Sequence, residues 1–402
     1  MMNIQQLRAQ FPQLGRIVYG KPLVYLDNAA TSLRPRTVID KWTDISSNRT
    51  ANLHRAVHLT AVEATEEYEH TRQDVARFIN APSSSEIVFT SGATHALNLL
   101  AFGIGEAFIN QGDEIIVSEA EHHSNLVPWQ MLCKRKGAVL KRLTVDDNGH
   151  LNIHLLPSLI TPATKVVAVA HISNVLGLVN PIPEIARICK SSGVLLVVDG
   201  AQGIVHQTVD VQQLGCDFYA FSGHKMYASP GTGVLWGRKE LLEALPPMFG
   251  GGEMIDSVSW ESSTYAPVPR KFEAGTQNIS GTPTLSPAID LMHEMQPADD
   301  VEEYIYETLT SEPGIRLYGT TDNLRQKAPV FSFTVEGAHH EDLALILDKM
   351  GVALRSGQMC AEPLMDRFGV TGMLRASFAP YNTMSEAEFF VSSLRKAIKM
   401  LK

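Results

Sequence analysis

The stretch that decides the fold runs from Val194 to Lys225. It reads Val194-Leu-Leu-Val-Val198, then Asp199-Gly-Ala-Gln202, and after a second run at Asp217–Phe221 it reaches Ser222-Gly-His-Lys225. An unbroken apolar, β-rich run between Gly193 and Gly200 suits a strand buried on both faces of a parallel sheet. Asp199 then stands at the strand's carboxyl end, where open α/β sheets bind ligands. The Asp217–Phe221 run carries Lys225 to the same edge. A carboxylate and an amine brought together there can serve one cofactor in two ways. The acid keeps a pyridine nitrogen protonated, and the amine forms an imine with an aldehyde. Those two duties describe pyridoxal 5'-phosphate. Taken singly, the aspartate would read as a helix cap and the lysine as a surface charge; the pairing carries the inference.

Working outward, further runs repeat the pattern. Glu86–Thr90 (EIVFT) reads as a strand, followed by Ser91-Gly92-Ala93-Thr94 and an apolar periodic segment from Ala96 to Phe102. Strand, glycine turn and helix start make a phosphate cradle, with Thr94 adding a hydroxyl. Glu114–Val117 (EIIV) leads to Glu121-His122-His123-Ser124-Asn125, where a histidine can stack on a flat aromatic cofactor. Lys165–Ala170 (KVVAVA) ends at His171-Ile-Ser-Asn174, and a helix near 183–191 returns to the central strand. This alternation predicts an α/β fold with a mostly parallel, doubly wound sheet. Polar residues at four strand ends that could converge on one ligand are the strongest purely physical signal. Before them, Pro22–Leu26 reads as a strand entering the loop Asp27–Ser32 (DNAATS), with helices starting near Pro35 and Thr60.

Beyond Lys225 the chain is rich in loops, among them Ser229-Pro-Gly-Thr-Gly233, Gly250-Gly-Gly252 and Glu273-Ala-Gly-Thr276. A long helical pattern from about Thr282 opens a smaller α+β unit with a strand at 330–335, a helix at 341–350 and Gly351-Val-Ala-Leu-Arg355. The expected division is a large cofactor-binding domain over 17–286 and a small C-terminal domain over 287–402. A short amphipathic helix within 1–16, striped by Ile4, Leu7, Phe11 and Leu14, is expected to pack on the small domain. That unit carries Arg355-Ser-Gly-Gln-Met-Cys360 and Leu374-Arg375-Ala376-Ser377. An arginine can grip a substrate carboxylate with two parallel hydrogen bonds, as lysine cannot. Cys360 lies in a polar turn five positions from Arg355, and exposure beside positive charge favours a thiolate.

Composition narrows the class. A chain of 402 residues with 44% hydrophobic and 19% charged residues reads as ordinary globular protein of two to three domains. A formal charge of −9 argues against nucleic acid, and no basic block or long apolar run suggests a membrane. The N-terminus lacks a signal peptide's apolar core, and four scattered cysteines form no disulfide framework, so a cytoplasmic location is expected. Cys133, Cys189 and Cys216 fall in or beside apolar segments and read as packing residues. His54 and His58 stand four apart without an HExxH pattern. They read as packing or turn residues, as do His339 and His340, and no metal is expected.

The motifs DNAAT, EHHSN, ISNVLG, VDGAQ, FSGHK, FEAGTQN, RSGQMC and LRASFAPYN stand in this order over residues 22–382. Together they resemble the group II (SUF-type) cysteine desulfurases, fold-type I pyridoxal-phosphate enzymes that act as homodimers. The resemblance implies roles for residues already singled out. Lys225 would be the cofactor-binding lysine, Asp199 the partner of the pyridinium proton, Gln202 a contact of the ring oxygen, and His122 the stacking residue. Thr94, Ser222 and His224 would hold the phosphate, with Thr276 reaching it from the other subunit. Arg375 would bind the substrate carboxylate, assisted by Asn174 and Arg355, and Cys360 would be the sulfur nucleophile. L-cysteine would become alanine, leaving a persulfide on Cys360 for an acceptor protein in iron–sulfur cluster assembly.

Three stretches depart from the family. Met226-Tyr-Ala-Ser-Pro-Gly231 replaces Leu-Tyr-Gly-Pro-Thr-Gly, Ser91 and His95 replace an arginine and an acid, and Met359 replaces a histidine before the nucleophile. Alternatives on the same fold are a selenocysteine lyase, acting on L-selenocysteine, a cysteine-sulfinate desulfinase or an epimerase; from another class, a non-catalytic scaffold.

Overall fold

The computed structural model describes residues 2–296 and 298–401. Its centre is a seven-stranded sheet built from β1 (Ile87–Thr90), β2 (Glu114–Ser118), β3 (Val139–Leu143), β4 (Thr164–Ala170), β5 (Leu195–Asp199), β6 (Phe218–Ser222) and β7 (Gly233–Gly237). The strand order is β1-β7-β6-β5-β4-β2-β3. Neighbours from β3 to β6 pair in parallel, and β7 runs antiparallel between β6 and β1. The mostly parallel doubly wound expectation holds.

Alternation along each strand feeds two separate cores. Ile116, Val167, Val169, Leu196 and Val198 pack into one, while Ile115, Val117, Val166, Ala168 and Val197 pack into the other. A sheet buried on both faces explains the continuous apolar runs. Each of the Val, Leu and Ile side chains contributes about 1.5–3 kcal/mol on burial, so the strand ends are held in place by the whole ladder behind them.

β7 went unrecognised in the sequence because Ser229-Pro-Gly-Thr-Gly233 marks a turn and only three apolar residues follow. Gly233 is required there, since a Cβ would lie 2.3 Å from the Cα of Gly92. A hairpin at Ile255–Val258 and Ser263–Tyr265 was hidden in the same loop-rich region.

The C-terminal part holds a four-stranded antiparallel sheet of β8 (Ile315–Tyr318), β9 (Val330–Val335), β10 (Arg355–Gly357) and β11 (Met373–Ser377), in the order β8-β9-β11-β10. Its core joins Phe331, Phe333, Leu343, Leu374 and Phe390 with Val24 and Leu26 from the chain's start. Val24–Tyr25 pairs in parallel with Val352–Ala353.

The long helical pattern expected from Thr282 is corrected to two helices, Leu285–Glu294 and Asp299–Ser311. Met295 adopts an extended conformation at the first helix's end. The Gln296-Pro297 step in the sequence disfavours helix, and Asp299, Asp300 and Glu302 suit a fresh helix N-terminus.

At the N-terminus, Asn3 and Gln6 form a capping box for Ile4–Ala9. Leu7, Phe11 and Leu14 are buried. Phe11, just beyond the helix, meets the rings of Tyr227 and Tyr381, and Arg8 pairs with Glu386 at 2.9 Å, so the N-terminal segment touches both parts of the chain. The division at residue 286 is kept as a proposal, with residues 24–26 packed into the second unit. Cys133, Cys189 and Cys216 are buried. Among the described residues no helix is long and apolar enough to cross a membrane.

Candidate active site

β5 and β6 are neighbours, so Asp199 and the Ser222–Lys225 turn emerge side by side. Both face one cleft of about 140 Å³, lined also by Thr94, His122, Asn174, Ser222, His224, Arg355 and Arg375. Residues from the ends of β2, β4, β5 and β6 and from β10 and β11 therefore meet at one point. This convergence is what the sequence could only suggest.

The acid and the amine tune each other. Asp199 is 6% exposed and its Oδ1 accepts from the amide of Ala201 at 2.9 Å. Burial raises its pKa, opposed by the positive charge of Lys225. Burial lowers the Lys225 amine to about 8, with Asp199 pulling it up and Arg375 and Arg355 pulling it down. An amine near 8 is neutral in an appreciable fraction of molecules at neutral pH, which a surface lysine is not. His122 is held down to about 3, by burial first and then by Lys225 and its other cationic neighbours. Its ring is neutral, and its Nδ1 accepts from the amide of Ser124 at 3.1 Å.

The turn at 91–94, read in the sequence as a phosphate cradle, joins a strand to a helix start. The Ala93–Phe108 helix starts after Gly92, whose φ is 152°, with no side-chain cap of its own. Its first-turn amides therefore turn to acceptors outside the cap. A Cβ on Gly92 would lie 3.3 Å from the Oγ of Ser222, and that Oγ accepts from the amide of Ala93 at 2.8 Å. Thr94 shares a hydrogen bond of 2.7 Å with Ser124, and His224 Nδ1 lies 3.2 Å from the hydroxyl of Thr31. Of the substituted positions, His95 Nδ1 accepts from the Ser91 amide at 3.2 Å and its ring meets Phe249.

Arg375 is 1% exposed. It donates to the Asn174 carbonyl at 2.9 Å and to Asp27 at 3.1 Å, while its buried Nε has no partner. Arg355 is its direct cross-strand neighbour. Two guanidinium groups side by side repel each other, and an orphaned donor beside them is costly. A carboxylate placed there would relieve both costs.

Arg355 also points a guanidinium nitrogen at the Cys360 sulfur, 3.8 Å away. Met359 and Cys360 both adopt left-handed backbone angles, φ 54° and 57°. Such conformations cost on the order of 1 kcal/mol or more each for a residue with a side chain. The loop is held by Asn174, whose amide donates to the Met359 carbonyl at 2.8 Å, and by the His123 amide, which donates to the Cys360 carbonyl at 2.7 Å.

Three expected residues lie outside the lining of the cleft: Cys360, which adjoins it through Arg355, and Gln202 and Thr276. The Gln202 amide donates to the Ala29 carbonyl at 2.8 Å, and Thr276 is exposed on its own chain. His58 caps the Leu59–Phe78 helix, while the His54 amide donates to Thr65. Sequence reasoning missed Asp27, Glu121 and His123. Glu121 is buried, accepts from Ser118, Asn125 and the Ala170 amide, and has its pKa raised to about 7, chiefly by burial. Its signal was its place directly before His122.

Residues 24–390 match the family model for class-V aminotransferases. A probable cysteine desulfurase of Vibrio cholerae is 44% identical, with all of both chains covered. The chain belongs to the cysteine desulfurases of the class-V aminotransferase family. A cysteine desulfurase of Serratia proteamaculans is 43% identical over 99% of both chains. The crystal structure of the cysteine desulfurase CsdA from Escherichia coli superposes with a TM-score of 0.92 at 40% identity, covering each chain completely. The chain is accordingly a group II, fold-type I pyridoxal-phosphate enzyme, and its fold agrees with that of CsdA. The buried acid–amine pair, the glycine-lined cradle and the orphaned Arg375 nitrogen fit that cofactor and an amino-acid substrate.

Proposed function

We propose that the chain converts L-cysteine to L-alanine with pyridoxal phosphate, taking the sulfur onto Cys360. The observation that carries this reading is the convergence of Asp199, Lys225, His122 and Arg375 on one cleft, with Arg355 bridging to Cys360. When bound, pyridoxal phosphate supplies a protonated pyridine that withdraws electrons from a substrate's α-carbon.

The remaining work falls to the chain. Lys225 Nζ would hold the cofactor and serve as the acceptor of the α-proton, a role suited to an amine lowered to about 8. Asp199 would keep the pyridine nitrogen protonated, neutral His122 would line the ring's site, and Thr94, Ser222 and His224 would hold the phosphate. Arg375 receives the substrate carboxylate, with Arg355 and Asn174 beside it. The Cys360 thiolate attacks the substrate sulfur as the carbon–sulfur bond breaks. A sulfur–sulfur bond forms on Cys360, the electron pair stays with the carbon fragment, and protonation of that fragment gives alanine. A thiol reductant then releases sulfide.

Gln202 anchors the Asp27–Ser32 loop through Ala29, and its proposed role is contact with the ring oxygen. Thr276 would serve the partner subunit of a homodimer. Support comes from the exposed Trp260 and Val258 of the hairpin and from exposed Val57 and Leu59, two segments tied by the Arg55–Glu253 ion pair. We further assign the sulfur to an acceptor protein of the SUF type in iron–sulfur cluster assembly and the enzyme to the cytoplasm. The test is turnover of L-cysteine with a reductant, assaying both products: equal alanine and sulfide support the reading, and alanine without sulfide refutes it.

A further inference from the structure

We propose that His123 is a positioning residue that sets the place of the Cys360 sulfur relative to the cofactor. The inference rests on the reading of Cys360 as the sulfur acceptor. His123 holds the nucleophile's loop at two points. Its main-chain N–H donates to the Cys360 carbonyl at 2.7 Å, and its Nε2 accepts from the Glu362 amide at 3.2 Å. A backbone amide can only donate, so Nε2 is the acceptor in this contact.

That second bond fills a gap in the loop's own design. The Glu362–Phe368 helix begins after Ala361, which offers no side-chain cap. His123 supplies the missing acceptor from across the cleft, next to two residues in left-handed conformation. Without it, the first turn of that helix and the preceding Met359–Cys360 step lose one of the three ties from across the cleft that oppose their relaxation.

The anchor itself is rigid. His123 belongs to a short turn, His123–Asn125, that His122 caps through its Nδ1. Asn125 donates to Glu121 at 2.7 Å and accepts from Trp129 at 3.2 Å, and Glu121 accepts from the Ala170 amide at the end of β4. One dipeptide therefore lines the cleft with its first ring and grips the nucleophile's loop with its second. The spacing between the His122 ring and the nucleophile's loop is thus carried across a single peptide bond.

His123→Ala removes the Nε2 acceptor and leaves the main-chain bond to Cys360 intact, while His123→Gln restores an oxygen at similar reach. On the cofactor-loaded enzyme, His123→Ala should lower kcat for L-cysteine about ten-fold with KM changed by less than about two-fold, since misplacing a reacting group penalises the chemical step. The rate at which iodoacetamide alkylates Cys360 should change by about three-fold or more. Cofactor absorbance and melting temperature should stay at parental values, and His123→Gln should recover most of both rates. Parental kcat and alkylation in His123→Ala would overturn the proposal, as would a loss that tracks melting temperature or cofactor content, or one that His123→Gln does not reverse. A Cys360→Ala control separates the two levels: if it still desulfurates cysteine, the nucleophile reading fails; if it is inactive while His123→Ala is unaffected, only this inference fails.

Discussion

The two halves of the active site are held in place by opposite means. Asp199, Lys225, His122 and Asn174 follow strands of one sheet, and their positions derive from a ladder with an apolar core on each face. Cys360 sits in a loop after the three-residue strand β10, with two successive residues in left-handed conformation. Its place is fixed by hydrogen bonds from the other part of the chain, through Asn174 and His123. The cofactor side is therefore built to be stiff whatever the nucleophile does. The nucleophile side depends on the cofactor side for its geometry.

That contrast can be broken at its strongest point first. Lys225→Ala should reduce turnover by about four orders of magnitude, because it removes both the covalent anchor and the proton acceptor. The matching observation is loss of the cofactor's absorbance from purified protein, with melting temperature little changed. Cys360→Ala should abolish sulfide from L-cysteine while leaving cofactor absorbance intact, and L-selenocysteine, with its better leaving group, should retain measurable alanine formation. Equal activity on both substrates would show that no sulfur passes through Cys360.

Arg375→Lys sharpens the comparison at the substrate. A lysine cannot reproduce the planar fork, so KM for cysteine should rise about ten- to hundred-fold with a smaller effect on kcat. Asn174→Ala tests the clamp, removing the amide that holds Met359. It should lower kcat by about ten-fold or less, read by steady-state kinetics beside cofactor titration.

The smallest effects are those of pH. Because the His122 ring is held down to about 3, by burial first and nearby cations second, the rate profile should show no limb near the ordinary histidine pKa of about 6.5 from this residue. In the cofactor-free chain, Lys225 titrates at about 8, below its unfolded value of 10.5. The folded state binds this proton less tightly than the unfolded one. The associated penalty is thus full below about 8 and fades as pH climbs toward 10.5. Lys225→Met should flatten that rise in melting temperature.

The same contrast explains what the sequence revealed. The strand ends were readable because a two-faced buried strand leaves an unmistakable apolar run, and Asp199 and Lys225 follow such runs directly. Arg355, Cys360 and Arg375 stood out by residue type within recognisable motifs. What stayed hidden depends on contacts between distant parts of the chain. Asp27 pairs with Arg375 from the far end of the sequence, and the DNAATS loop signalled only a turn. His123 looked like a second copy of His122, since nothing local shows that its Nε2 meets the amide of Glu362. β7 was lost among turn glycines that owe their place to the close approach of Gly92 and Gly233.

The central claim is tested most directly by a single turnover without reductant. Holoenzyme mixed with L-cysteine is quenched, alanine is counted, and the intact chain and its peptides are weighed. The account predicts one alanine per active site together with the mass of one added sulfur on the peptide bearing Cys360. Alanine formed with no sulfur at Cys360, or sulfur found on Cys133, Cys189 or Cys216 instead, would contradict it.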